Sequence, residues 1–318
     1  MCHGGIIKSI QNQKRINLKN IRKTAPFNSP ILRVFYCGYK QKSKTIHCPI
    51  VKNMKGKNIL ITGGAAGIGE HISKALISAG AAVTSLSRGV TKGDSIPGLK
   101  SVQMDLGKPS TIKEAVEQLH GQKFDVFISN AGIVLKDYQE VESGLEKTFA
   151  VNVLGPHILL KLLLEKNMLA SNARIVMTSG EIYALAKDCS TSTKEKDYKS
   201  NIAYAESKLA NLWQALELTK RFPNLHPIAI HPGVVSSNFG GNQKNTSGIG
   251  SWFKKRLMLT EKEGAQSALI AATQAIPKGT YWHNTMGIVD LKPNDIAQNR
   301  NKSKKLWDFL EELSKRWV

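Results

Sequence analysis

Ile59-Leu60-Ile61-Thr62-Gly63-Gly64-Ala65-Ala66-Gly67-Ile68-Gly69 is the stretch whose reading decides the fold. An apolar run of strand length enters glycines at 63, 67 and 69, and a pattern with one apolar face (Ile68, Ile72, Ala75, Leu76, Ala79) follows as far as Gly80. Strand, tight turn and helix in that order are the context a dinucleotide phosphate site requires. Glycine lacks Cβ, so its backbone reaches φ > 0 and can come close to an anion. The free N–H groups and positive dipole end of the helix then face that anion. The spacing is Gly-x3-Gly-x-Gly rather than Gly-x-Gly-x-x-Gly, which points to a particular branch of nucleotide-binding proteins.

Composition sets the bounds around that turn. The chain has 318 residues, 41% of them hydrophobic, enough for a sizeable core. No continuous apolar stretch of 18 residues occurs, which argues against a spanning helix. The net charge is +21, yet residues 1–53 carry 11 Lys/Arg and no Asp or Glu, so half of the excess sits on one segment. That leader reads in three ways: an organelle transit segment, a disordered basic arm, or sequence ahead of a functional start near Met54. Cys2, Cys37, Cys48 and Cys189 form no Cys-x-x-Cys, so a disulfide framework is not expected and a reducing, cytoplasmic setting is the default. The eight histidines show no metal spacing, and no metal is assigned.

From Asn58 onward, short apolar runs alternate with amphipathic helical patterns, the signature of a parallel sheet covered on both faces. Strands are expected at 58–62, 82–87, 99–104, 124–129, 174–178, 227–231 and 279–282. Helices are expected at 68–80, 110–120, 144–166, 201–221, 261–275 and 295–315. The expected architecture is a single α/β domain over 54–318, a Rossmann-like doubly wound parallel sheet of about seven strands. Ser237–Ser251, polar and with four glycines, follows a strand end and reads as a mobile lid. Trp252-Phe253 and the basic run behind them could border a lipophilic pocket or graze a membrane surface.

Tyr204 and Lys208 stand near the start of a well-patterned helix, at i and i+4 on one face. A cation near a phenol favours the phenolate and lowers its pKa, so Tyr204 is a candidate general acid/base.

These residues and their neighbours resemble the short-chain dehydrogenase/reductase family, and within it the retinol dehydrogenase and WW-domain oxidoreductase-like branch. The resemblance covers 54–318 and rests on Thr62-Gly-x3-Gly-x-Gly69, Asp105-Leu106, Asn130-Ala131-Gly132, Val151-Asn152-Val153-Leu154-Gly155, Tyr204-x3-Lys208 and His231-Pro232-Gly233-Val234-Val235. It implies Tyr204 as catalytic acid/base, Lys208 also as holder of the nicotinamide ribose, and Asn152 as anchor of a water in a proton relay. It also implies that Asn130, Ala131 and Gly132 line the cofactor channel and that Asp105 meets the adenine. Thr62, Gly63, Gly67, Ile68, Gly69, Leu106, Pro232, Gly233 and Val235 complete the implied cofactor site. The family's substrate-orienting serine is the second of a Ser-Ser pair, whereas here the strand ends in Ser179-Gly180. A gapless match puts Gly180 on that position, and Ser179 serves only if the turn shifts by one residue. Loss of one such hydrogen bond typically costs 10²–10³ in rate.

The residue that reads the ribose lies at the end of the second strand, where this chain has Ser87-Arg88-Gly89 and no acid before Asp94. Arg88 can stack on adenine and pair with a 2′-phosphate, so NADP(H) is expected over NAD(H). The expected activity is interconversion of an alcohol and a carbonyl, with retinoid, steroid or lipid substrates implied by the resemblance alone. A rival reading is a catalytically weak NADP-binding protein that acts through protein partners. A small-molecule substrate is expected and nucleic acid is not. Peripheral membrane contact, homo-oligomerisation and organelle targeting by residues 1–53 stay open.

Overall fold

The first strand, β1 (Asn58–Thr62), buries Ile59, Leu60 and Ile61 completely, which requires cover on both faces of the sheet. The computed structural model describes residues 45–49, 53–89, 96–142, 144–191, 193–236 and 258–318. The lid expected at Ser237–Ser251, Trp252, Phe253, Asp94 and most of the leader lie outside them.

β1 pairs in parallel with β2 (Ala82–Ser87) on one side and β4 (Phe124–Ser129) on the other. β3 (Leu99–Gln103), β5 (Leu169–Thr178), β6 (His226–His231) and β7 (Thr280–His283) extend the sheet in the order β3-β2-β1-β4-β5-β6-β7. An eighth, two-residue strand, β8 (Gly287–Ile288), adds antiparallel to β7. Seven strands were expected; β8 is too short to carry any periodicity. The order reverses between β1 and β4, and the carboxyl ends there open the crevice in which such sheets bind ligands.

Alternate side chains feed two cores. On one face Leu60, Phe127 and Ile175 join Ile112 and Val116 of α2 (Pro109–Gln118), Leu159 of α4 (Gly155–Glu165), Trp213 of α5 (Ser200–Arg221) and Trp307 of α7 (Arg300–Ser314). On the other, Ile59, Ile61 and Val176 pack with Ile72 and Leu76 of α1 (Gly67–Ser78) and Ala268 and Leu269 of α6 (Glu261–Thr273). A capping box between Thr260 and Glu263 fixes the start of α6. The end of the leader joins this layer. Ile46 N–H donates to the Asn284 carbonyl at 2.9 Å, Cys48 N–H donates to Gln266 Oε1 at 2.8 Å, and both side chains pack on the second core.

The single helix expected at 144–166 is in fact broken into parts. Glu146 caps a one-turn α3 (Lys147–Phe149), accepting from the Thr148 and Phe149 N–H groups. A π segment, Ala150–Leu154, follows, and α4 then starts at Gly155 with Pro156 in its first turn. Proline has no N–H to give to the carbonyl four residues back, so the regular ladder fails there and a wider turn replaces it. Among the described residues, the stretch Lys147–Glu165 is the one helix long and apolar enough to cross a membrane, and most of it is buried inside the fold.

Gly155 lets this helix reach the loop after β3, since a Cβ there would stand 2.3 Å from the Leu106 carbonyl oxygen. Gly155→Ala is therefore expected to lower the unfolding free energy by about 1–3 kcal/mol, despite alanine's higher helix propensity. Chemical denaturation checks this, and an unchanged midpoint would show that the loop yields freely.

Candidate active site

The crevice is floored by the glycine turn. Gly63 and Gly67 adopt φ of 67° and 56°, and a Cβ on Gly69 would lie 2.0 Å from the Gly63 carbonyl oxygen. Gly64 N–H donates to Ser85 Oγ at 2.9 Å and Ser73 Oγ donates to the Gly64 carbonyl at 2.8 Å, so the turn is pinned from β2 and from α1. Ala66, the N-cap of α1, offers no side-chain acceptor. The first N–H groups of that helix are thus left for an anion, and the cradle fits the pyrophosphate of a dinucleotide. Acids border it as well: Glu70 stands in the first turn of α1, and Glu261 Oε1 is 3.4 Å from the point a Cβ on Gly67 would occupy.

The other expected cofactor residues surround this floor. Thr62 Oγ1 accepts from the N–H groups of Asn130 and Ala131, both at 3.0 Å, and Asn130 Nδ2 donates to the Thr62 carbonyl at 3.1 Å. These bonds lock the ends of β1 and β4 together. Asp105 Oδ1 accepts from Gly107 N–H at 2.9 Å, and Leu106 is buried. The Asp105 carboxylate therefore shapes its own turn. Arg88 is exposed just past β2, its carbonyl held by Gln103 Nε2 at 3.3 Å. Beyond β6, Gly233 takes φ of 91°, and Val235 pairs with Leu259 ahead of α6. Ile68 and Val235 both close on Gly264, where a Cβ would sit 3.2 Å and 2.7 Å from their side chains. The strip containing Pro232, Gly233 and Val235 is thereby drawn against the start of α1.

The π segment carries Asn152, 1% exposed. Its Oδ1 accepts from Ile133 N–H at 2.7 Å, and its Nδ2 donates to the Ile133 carbonyl at 2.8 Å and to Ser207 Oγ at 3.0 Å. Ser207 Oγ in turn donates to the Tyr204 carbonyl at 2.8 Å. Asn152 is thus coupled to the helix that bears Tyr204. Gly132 allows this crowding, since a Cβ on it would meet Asn152 Oδ1 at 3.2 Å and Lys208 Nζ at 3.6 Å.

Tyr204 and Lys208 meet as the i, i+4 spacing requires, with Lys208 Nζ 5.3 Å from the Tyr204 ring centroid. Lys208 Nζ and Asn211 Nδ2 both donate to the Thr178 carbonyl, at 3.2 Å and 3.1 Å. The expected lowering of the phenol pKa is not found, because burial disfavours the phenolate. Burial pushes Tyr204 up to about 12 and Lys208 down to about 8.

Ser179 departs from its expected role. It is buried, and its Oγ donates to the Lys208 carbonyl at 2.7 Å. That bond uses the single hydroxyl proton, so Ser179 braces α5 against β5 and has none to offer a substrate. The next position, Gly180, is buried and carries no side chain. Ser207, Asn211 and His231 joined the site unassigned. Asn211 lies at i+7 from Tyr204, a helical spacing that could have marked it.

A model of the short chain dehydrogenase family matches residues 57–248. Human retinol dehydrogenase 12 is 29% identical over 91% of this chain and 94% of its own length. Human retinol dehydrogenase 14 is 27% identical over 81% and 86%. Among solved structures, a protein from Mycobacterium paratuberculosis aligns with a TM-score of 0.67 at 23% identity, covering 85% of this chain and 98% of that one. A short chain dehydrogenase family protein from Francisella tularensis aligns at 0.57 and 21%, covering 71% and 96%. Switch-point crevice, glycine cradle and Tyr204–Lys208 face define a nucleotide-dependent oxidoreductase. The chain belongs to the short-chain dehydrogenase/reductase family, on its retinol dehydrogenase branch, and acts on CH–OH groups of a small molecule with NAD(P)(H).

Lys208 gives a stability test. Its pKa is about 8 when folded against an ordinary 10.5, so below pH 8 the folded state bears the cost of a buried charge that the unfolded chain avoids. The difference corresponds to about 3 kcal/mol. Lys208→Met is expected to raise apoprotein stability by up to about 3 kcal/mol at pH 7. The Thr178 carbonyl keeps its Asn211 partner in that variant. The gap should close as pH rises from 8 through 10.5, because over that window the unfolded chain holds one proton more than the folded one and wild-type stability rises with pH. Denaturant melts at pH 7 and 10.5 read this out, and a destabilised variant at pH 7 would count against it.

Proposed function

We propose that the chain is an NADP(H)-dependent oxidoreductase that interconverts a lipophilic alcohol and its carbonyl, with Tyr204 moving the proton. The observation that carries this reading is the α5 face on which Lys208 Nζ approaches the Tyr204 ring, braced through Ser207 to Asn152. The nicotinamide cofactor supplies or takes up the hydride. Gly63, Gly67, Gly69 and the start of α1 bind its pyrophosphate, and Lys208 holds the ribose nearest the reaction. Arg88, exposed and without a carboxylate partner among the described residues, pairs with the 2′-phosphate. Retinol, for which the two human relatives are named, is a lipophilic alcohol, and similarity over most of their length supports that substrate class. Cys48 and Cys189 are free thiols, which fits a reducing, cytoplasmic setting.

A phenol held up to about 12 is protonated at neutral pH. Tyr204 is then ready to give its proton to a carbonyl oxygen, whereas alcohol oxidation needs the phenolate. At pH 7 Tyr204 is therefore in the form that carbonyl reduction requires. Reduction should stay level between pH 6 and 10, well below the Tyr204 pKa, while oxidation should climb with pH; rates in both directions over that range check the sign.

NADPH-dependent reduction of a panel of long-chain and polyprenyl aldehydes and ketones tests the activity. Tyr204→Phe is expected to lower kcat at least about 100-fold with little change in NADPH affinity. Firm NADPH binding with no turnover above that variant would favour the partner-acting reading, to which the occupied Ser179 hydroxyl lends weight. For the cofactor, Arg88→Asp is expected to move the NADPH/NADH preference by about 10–100-fold toward NADH. An unchanged ratio would remove Arg88 from the 2′-phosphate site.

A further inference from the structure

Two features at the ends of β5 and β6 meet at one point. Gly180 is extended, with φ of −177° and ψ of 148°, a conformation open to any residue. A Cβ there would make only ordinary contacts, 3.7 Å from His231 Nδ1 and 3.8 Å from Lys208 Cγ. A serine Cβ would therefore fit at this position, which as glycine offers no hydroxyl. Beside it stands His231, the last residue of β6 and 5% exposed. Among the described residues neither of its ring nitrogens has a hydrogen-bond partner. Buried polar atoms left unpaired are costly, and in a native structure they call for a reason. Flexibility is not that reason. The His231 carbonyl accepts from Asn284 N–H at 3.0 Å and Ser267 Oγ at 2.9 Å, and the ring packs on His283 with centroids 4.6 Å apart.

We propose that His231 replaces the missing side-chain hydroxyl, its imidazole N–H hydrogen-bonding the substrate oxygen that Tyr204 protonates. The inference rests on the oxidoreductase reading above and adds a second catalytic residue to it. As hydride reaches the carbonyl carbon, the C=O π pair moves onto oxygen and the Tyr204 proton completes the alcohol. His231 transfers nothing; its bond strengthens while negative charge builds on that oxygen. Burial, with the Lys208 charge behind it, pushes the imidazole down to about 3, so the ring is neutral and carries one N–H throughout the working range. It does not compete with Tyr204 as the acid. With glycine at 180, no side chain occupies the point 3.7 Å from the ring's Nδ1.

The full chain is assayed for NADPH oxidation on the carbonyl panel, with NADPH binding followed by cofactor fluorescence. His231→Phe keeps a buried ring without nitrogens, and kcat is expected to fall about 100–1,000-fold with the NADPH Kd within about threefold. Adding Gly180→Ser to that variant should recover at least about tenfold, a rescue that a purely structural role for His231 would not give. His231→Phe turning over within about threefold of wild type overturns the inference. So does Gly180→Ser alone raising turnover tenfold or more, since the bond would then have been absent from the native site. Should His231→Phe not bind NADPH, His231→Asn, which keeps an N–H, retaining at least about a tenth of the activity supports the proposal, and its falling below that overturns it. A silent wild type with an active Gly180→Ser overturns the His231 role and leaves the oxidoreductase reading standing. Silence from both sinks the two together.

Discussion

A single buried ammonium sets the terms for the catalytic half of this protein. Lys208 is 3% exposed and makes no ion pair with a described carboxylate. Its charge is tolerated through the Thr178 carbonyl, the face of the Tyr204 ring and the absence of side chains at Gly132 and Gly180. Removing an ion from water without a counter-ion costs several kcal/mol, which the depressed pKa records. The same charge helps hold His231 neutral. An acid beside Lys208 would relieve that cost, but it would also neutralise the cation.

The parts of the site that were legible in the sequence are those fixed by local geometry. The glycine turn follows from residues 58–80 alone, because strand, φ > 0 positions and helix lie within one unit. Tyr204 and Lys208 share a face by helical arithmetic, and the alternation of strands with helices implies the doubly wound sheet. What escaped depends on contacts far apart in sequence. The fate of the Ser179 proton is decided by a carbonyl 29 residues on. The Tyr204 pKa is decided by burial against elements that no i, i+4 rule describes. The break inside 144–166 was hidden because its apolar residues keep one continuous hydrophobic run. The causes were visible all the same, in the Glu146 cap and in Pro156.

That break also explains how Asn152 reaches its place. A regular helix would bring successive residues around at 100° steps; the widened turn resets that phase between α3 and α4. Asn152 then faces Ile133 and Ser207, and Ile158 and Leu159 still meet the core. The irregularity thus lets one buried segment serve both packing and the polar network.

The hydrogen bonds at Asn284 carry a further consequence. Its carbonyl takes the N–H of Ile46, at the end of the basic leader, and its own N–H goes to the carbonyl of His231. The leader and the end of β6, two regions with no evident chemical kinship, are therefore adjacent through one shared residue. Shortening the chain to Met54 would strip one side of that residue, along with the Cys48 bond to Gln266 on α6. A trimmed chain would differ from the longer one in how firmly the end of β6 and α6 are backed as well as in charge.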